Sequence, residues 1–264
     1  MIDAQQSSIS TAPKPAKPGV QSVERAFTLL GLIAEAGGQA TLSELAERAD
    51  LPMPTIHRLL RTLVNLGCAR QLQDRGYALG PTLMRLGELA GRQIGDIVRP
   101  HLRTLVAKLG ETANIAVLDG DMMVYAAQVP SEHSMRMFTE VGRRVHLSAT
   151  GVGKAVLPGL EEARVAQIIH STGMPQLTEK SITDFGELKA ELERIRERGY
   201  AIDEEEQELG VRCFAVNIDG APTPMAVSVS GPTSRLDDDF AARAVPLLQA
   251  AAREISADLN SAEI

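Results

Sequence analysis

Thr41-Leu42-Ser43-Glu44-Leu45-Ala46-Glu47-Arg48-Ala49-Asp50-Leu51-Pro52-Met53-Pro54-Thr55-Ile56-His57-Arg58-Leu59-Leu60-Arg61-Thr62-Leu63-Val64-Asn65-Leu66-Gly67 is the stretch that decides how this chain begins to fold. Thr41 and Glu44 form a capping box, in which the Thr hydroxyl accepts from the third backbone N–H and the Glu side chain reaches back to the cap. Leu42, Leu45, Ala46 and Ala49 then line one face of a short helix, which Asp50-Leu51-Pro52 breaks. A second helix starts near Pro54, whose missing N–H costs nothing in a first turn. Ile56, Leu59, Leu60, Leu63 and Leu66 recur at helical spacing and predict a buried stripe that ends at Gly67.

The opposite face carries Thr55, His57, Arg58, Arg61, Thr62 and Asn65. Arg70-Gln71-Leu72, the turn Gln73-Asp74-Arg75-Gly76 and Tyr77-Ala78-Leu79 follow as a β-hairpin. Between Pro52 and Gly76 the only acid is Asp74, against Arg58, Arg61, Arg70 and Arg75. Arg58 and Arg61 alone read equally well as the solvated face of an amphipathic helix. A capped helix, a three-residue break, a basic second helix and a hairpin wing together predict a winged helix-turn-helix. In that arrangement the second helix enters the major groove of DNA.

Outward from this unit, the 264 residues are enough for two domains at roughly 150 residues each. Aromatic residues are 3% of the chain and Trp is absent, which argues against a single-strand platform that stacks bases. The net charge of -7 gives no hint of a nucleic-acid partner by itself, but the acids concentrate after residue 90. Residues 1–19 are rich in Ser, Gln, Pro and Lys and read as a disordered arm. Cys68 and Cys213 form no disulfide framework and no zinc spacing. The apolar region of a secretory leader and a membrane-length apolar run are both missing, so a cytoplasmic protein is expected.

Residues 81–110 read as helix interrupted at Gly91, Gly95 and Pro100, so two helices with a break are expected. Leu83, Leu86 and Leu89 on the first of them are the natural dimer contact. Further on, strand and helix signals alternate. A hairpin over 113–128 turns at Asp119-Gly120-Asp121; helices are expected at 161–170, 184–198 and 237–258, and strands at 211–218 and 224–230.

Gly151-Val152-Gly153-Lys154 fails the P-loop pattern, because Ser148 and Ala155 stand where a Gly and a Ser or Thr are required. A glycine turn into a helix at Lys154–Leu157 still offers free N–H groups to a small anion, or is simply a flexible helix start. Most of the acidic run Asp203-Glu204-Glu205-Glu206 reads as a solvated loop. Cys213 lies in an apolar strand pattern and by default is a core residue. Ser228 and Ser230 share one face of a strand, which suggests a polar cavity lining. His146, Cys213 and Asp203 can be drawn as a hydrolase, but no nucleophile elbow accompanies them. Asp203 and Cys213 with His146 or His133 suit zinc by type, yet lack a spacing motif. A purely structural C-terminal half is the plainer alternative.

Val20-Gln21-Ser22-Val23-Glu24-Arg25-Ala26, Leu45-Ala46-Glu47, Thr55 through Leu63 and Tyr77-Ala78-Leu79-Gly80 resemble the DNA-binding half of IclR-type bacterial transcription regulators. Gly151 through Ala155, Arg198-Gly199-Tyr200-Ala201 through Glu206, Gly210-Val211-Arg212-Cys213 and Ser228 through Pro232 extend the resemblance to the second half. Two departures are visible: Met53-Pro54 where many members have Lys-Ser, and His146-Leu147-Ser148 where members often show Pro-x-His.

The resemblance implies an α+β chain: arm 1–19, winged helix-turn-helix 20–80, linker and dimerisation helix 81–95, and a GAF- or profilin-like effector domain 96–264. It also implies a cytoplasmic, non-enzymatic repressor that binds a palindromic double-stranded operator as a dimer or tetramer, with Thr41, Met53, Thr55, His57, Arg58 and Arg61 on the DNA side. In allantoin- and glyoxylate-pathway members a small carboxylate is held by loop N–H groups, an Asp, a Cys and two Ser. Those positions correspond here to Gly151 and Val152, then Asp203, Cys213, Ser228 and Ser230. The implied ligand is therefore an oxo- or hydroxy-carboxylate effector, with no cofactor, metal or membrane partner.

Overall fold

The capping box forms as expected. Glu44 N donates to Thr41 Oγ1 at 3.2 Å and Thr41 N donates to Glu44 Oε2 at 2.7 Å. In the computed structural model, which describes residues 19–137 and 139–262, it opens helix α2 (Leu42–Ala49). The expected arm lies, but for Gly19, outside the described residues. Helix α1 (Gln21–Glu35) precedes α2, and helix α3 (Met53–Asn65) follows a tight turn. Asp50 makes that turn in the left-handed region, at φ 48°. Ile56, Leu59, Leu60 and Leu63 of α3 pack against Leu29, Ile33 and Leu45. Leu66 departs from the expected stripe and is 62% exposed, because α3 ends at Asn65 and the chain turns away through Gly67, at φ 70°. The wing is β2 (Ala69–Gln71) paired with β3 (Tyr77–Leu79), and β3 also pairs with β1 (Gln39–Ala40), a two-residue strand the sequence reading lacked.

Contacts divide the chain after Glu88, so one unit ends there and a second begins at Leu89. The expected helix break is absent: α4 runs unbroken from Pro81 to Leu109, with Pro100 inside it. A helical Gly costs about 1 kcal/mol and Pro about 3 kcal/mol. Burial of Val98, Leu102, Leu105 and Leu109 in the second unit's core opposes that cost.

The second unit is built on a six-stranded antiparallel sheet in the order β6-β5-β4-β9-β8-β7. Its strands are β4 (Thr112–Asp119), β5 (Met122–Val129), β6 (Arg144–Val145), β7 (Ala201–Glu204), β8 (Val211–Asn217) and β9 (Met225–Pro232). One face meets the second half of α4 and the long helix α8 (Asp238–Ser261), with Phe214, Val227, Val229 and Leu248 between them. The other face meets α5 (Gly151–Val156), α6 (Glu162–Thr172) and α7 (Phe185–Arg198) through Val152, Leu147, Ile168 and Leu192. Among the described residues no helix is long and apolar enough to cross a membrane.

Two local expectations need correction. Asp203 belongs to strand β7 and is 5% exposed, and Glu206 is also buried, so half of the acidic run is inside the protein. Lys154, itself fully buried, supplies the reason: its ammonium donates to Glu206. The expected helix at Lys154–Leu157 instead starts at Gly151, with Thr150 as its cap. The glycines are therefore part of the helix. A Cβ on Gly153 would collide with the Leu147 backbone.

Candidate functional site

On the first unit, the apolar stripe of α3 fixes which side chains face solvent. His57, Arg58 and Arg61 are exposed, Met53 is 44% exposed and Thr55 is half-buried. Neither Arg58 nor Arg61 has a carboxylate partner among the described residues. Arg70 and Arg75 of the wing are exposed as well. Thr41 is committed to the α2 cap. The surface is a basic helix beside a basic hairpin.

The second unit places its polar residues by strand register. Asp203 pairs with Cys213, and Cys213 with Ser230, forming one row across β7, β8 and β9. The next row on the same face is Ala201, Ala215, Ser228, Asn114 and Gln128. Helix α5 lies against these rows. A Cβ on Gly151 would stand 3.1 Å from Cys213 Sγ and 3.6 Å from Asp203 Cβ, so any larger residue would press into the site. Gly151, Asp203, Cys213 and Ser230 all border one cavity, with Tyr125 and Arg143 on its wall. The space free at its centre is small, about 20 Å³. Val152 and Ser228 are buried behind the lining. Neither borders the cavity; the Ser228 hydroxyl makes no regular hydrogen bond among the described residues and lies near the Cys213 thiol.

The electrostatics make the floor of this cavity a set of donors. Gln128 Nε2 donates to Asn114 Oδ1 at 3.0 Å, and Asn114 Nδ2 donates to Ser230 Oγ at 3.2 Å. Ser230 thus accepts from Asn114 and keeps its own proton for another partner. Burial and the charge of Asp203 push the Cys213 thiol up to about 12, so it stays S–H. The first-turn N–H groups of Gly151 and Val152 have no partner within the helix. Asp203 Oδ1 accepts from Glu206 N at 2.8 Å and Gln207 N at 3.4 Å. Burial, reinforced by the Glu206 charge, nevertheless raises its carboxyl to about 7.

A protonated thiol is a poor nucleophile and a poor metal ligand. His146 and Ser148 are not on the cavity wall, and burial holds the His146 ring below its ordinary range. Among the described residues no group of three or more His, Cys, Asp and Glu could hold a metal ion. Tyr125 and Arg143 are among the wall residues that sequence reasoning missed, as are Thr139, Gln207 and Glu208. The signal for Tyr125 and Arg143 is the strand register, which period-2 alternation alone does not give.

A winged helix-turn-helix followed by an α/β domain is the architecture of a bacterial transcription regulator. Residues 22–73 match the IclR helix-turn-helix domain, and residues 87–257 match the bacterial transcriptional regulator IclR C-terminal domain. The transcriptional repressor IclR of Escherichia coli is 39% identical over 254 residues, covering 94% of this chain and 93% of that protein. The acetate operon repressor of Salmonella typhimurium is 38% identical over 265 residues, 93% of this chain and 97% of its own. The crystal structure of an IclR transcriptional regulator from Alicyclobacillus acidocaldarius superposes with a TM-score of 0.77 at 29% identity, over 91% of this chain and 99% of that one. The chain belongs to the IclR family of bacterial transcriptional regulators.

Proposed function

We propose that this regulator is a cytoplasmic repressor that binds a palindromic operator as a homo-oligomer, and that a small oxo- or hydroxy-carboxylate in the second unit sets its operator affinity. Arg58 and Arg61 of α3, with Met53, Thr55 and His57, face the operator, and Thr41 holds the preceding helix in place. Two of the relatives described above are repressors, one of them of an acetate operon, which supports both the sign of regulation and a short acid as signal.

One observation carries the reading of the pocket. The hydrogen-bond chain from Gln128 through Asn114 leaves the Ser230 hydroxyl as a donor on the cavity wall, beside the Cys213 S–H and the Gly151 N–H. Converging donors suit an anion. Asp203 repels a carboxylate when ionised, so it meets the effector protonated or faces its keto or hydroxyl end. Ser228 and Val152 stand behind this lining and shape it.

Isothermal calorimetry with glyoxylate and pyruvate tests the assignment. A buried hydrogen bond to a charged group contributes about 1.5–3 kcal/mol, so Ser230→Ala should weaken binding by roughly ten- to a hundredfold. Equal binding by wild type and Ser230→Ala would show that the pocket has been misplaced.

A further inference from the structure

The cavity has a second polar wall that the donor row does not supply. In β5 the register against β4 shifts between Ile115 and Ala116, so Ile115 pairs with Ala127 but Ala116 pairs with Tyr125. The bulge moves Tyr125 to the sheet face that carries Asn114 and Ser228, where simple alternation would put it on the opposite face with Ala127. Arg143 is fixed next to it: Tyr125 N donates to Arg143 O at 3.1 Å, and Gly142 N donates to Tyr125 O at 2.7 Å. The following residue, Arg144, pairs with Val124 and therefore takes the other face, where its guanidinium bonds Asp119. One arginine of the pair is thus neutralised outside. The other is exposed and borders the cavity, and among the described residues its guanidinium has no hydrogen-bond or ion-pair partner. Glu208, also on the wall, forms no ion pair with it, and the Tyr125 hydroxyl donates to no described group.

We propose that Arg143 and the Tyr125 hydroxyl form a second recognition pole, so that the effector is a two-ended acid, a short oxo- or hydroxy-dicarboxylate. This rests on the carboxylate reading of the Ser230 side. The first carboxylate meets the donor row, and the second takes the planar guanidinium fork, which matches a carboxylate bidentately. Tyr125 adds a single donor beside the fork, and Glu208 accepts from a hydroxyl between the two ends. An acid with one carboxylate leaves Arg143 to water and forgoes this contact.

Calorimetry on the full chain with glyoxylate as the one-ended probe and tartronate and malate as two-ended probes separates the possibilities. The expected result is a wild-type preference for a dicarboxylate over glyoxylate of at least about tenfold. Arg143→Gln should abolish most of that preference, Tyr125→Phe should cut it by several-fold, and Arg143→Lys, which keeps charge but not the fork, should cut it by an intermediate amount. If Arg143→Gln unfolds the chain, Arg143→Lys and Tyr125→Phe decide by the same ratio. Glyoxylate binding with no dicarboxylate preference, or equal losses for both probes, overturns the second pole and leaves the carboxylate site standing. Failure of every acid to bind wild type overturns both.

Discussion

Replacing Asp203 by Asn should raise the stability of this protein increasingly from about pH 4 to pH 7 and leave it almost unchanged below pH 4. The carboxyl is 5% exposed on the cavity wall, beside buried Glu206 and within reach of the Lys154 charge. Burial first, and Glu206 second, lift it from an ordinary 3.8 to about 7, against the opposing pull of two backbone N–H groups and Lys154. Between about pH 4 and pH 7 the folded state therefore keeps a proton that the unfolded chain has lost. Wild-type stability falls across that window and levels off above pH 7. Each pH unit between folded and unfolded values corresponds to about 1.4 kcal/mol. The full cost of ionising Asp203 in the fold is then on the order of 4 kcal/mol, less whatever water penetration recovers. Asn keeps an Oδ1 that can accept from Glu206 N, so the turn survives while the buried charge goes.

Calorimetric melting of the full chain at half-unit steps from pH 3.5 to pH 8.5 reads this directly. The Asn and wild-type curves should coincide at the acid end and separate as pH rises toward 7, with Asn the more stable. The same charge governs the ligand. A bound carboxylate raises Asp203 further, so effector binding takes up a proton and wild-type affinity falls by up to about tenfold per pH unit above pH 7. Asp203→Asn should flatten that dependence. Parallel wild-type and Asn stability curves over the whole range would refute the reasoning, because no carboxyl ionising in a buried site near neutrality gives that result.

The remaining predictions concern the first unit and assembly. Arg61→Ala should cost roughly 1–3 kcal/mol on duplexes selected from a random pool by the wild-type chain, and should relax one base position; gel shifts showing unchanged affinity for every duplex would remove Arg61 from the operator surface. Leu86→Asp with Leu89→Asp should halve the particle mass in light scattering and weaken operator binding, since half-sites about 34 Å apart need two copies. Both residues are about half exposed on α4. Leu83, by contrast, packs partly into its own unit's core and is left in place so that the test reads assembly rather than folding. A double variant of unchanged mass would place the subunit contact elsewhere.

The helix-turn-helix was legible because everything that makes it is local. A cap three residues from its partner, a stripe at helical spacing and a glycine stop are all read within one short stretch. Leu66 shows the limit of that reading: it continues the arithmetic of the stripe, but it lies past the helix end, where the chain no longer follows that arithmetic. Helix α4 shows the converse. Its glycines and Pro100 speak for a break, and only the burial of Val98, Leu102 and Leu105 against elements more than a hundred residues away overrides them.

In the cavity the same distinction decides which residues could be foreseen. Ser228 and Ser230 were found by period two, and the register with Cys213 and Asp203 explains why they share a face. Their surroundings nevertheless differ, although Gly151 of α5 stands over both rows, beside Cys213, Ala215 and Asp203. Ser230, in the row of Cys213 and Asp203, reaches the cavity, whereas Ser228, in the next row, is covered. Tyr125 was hidden by one extra residue in β5, since alternation counted through a bulge assigns every residue beyond it to the wrong face. Glu206 was hidden because its counter-charge, Lys154, comes from a helix on the far side of two intervening helices in the chain. The acidic run looks solvated only when Lys154 is ignored. With it in place, Asp203 is a buried carboxyl at the cavity wall that, among the described residues, has no ion-pair partner. Under the proposed carboxylate reading, that makes its proton, rather than any single hydrogen bond, the property through which the pocket would respond to an anion.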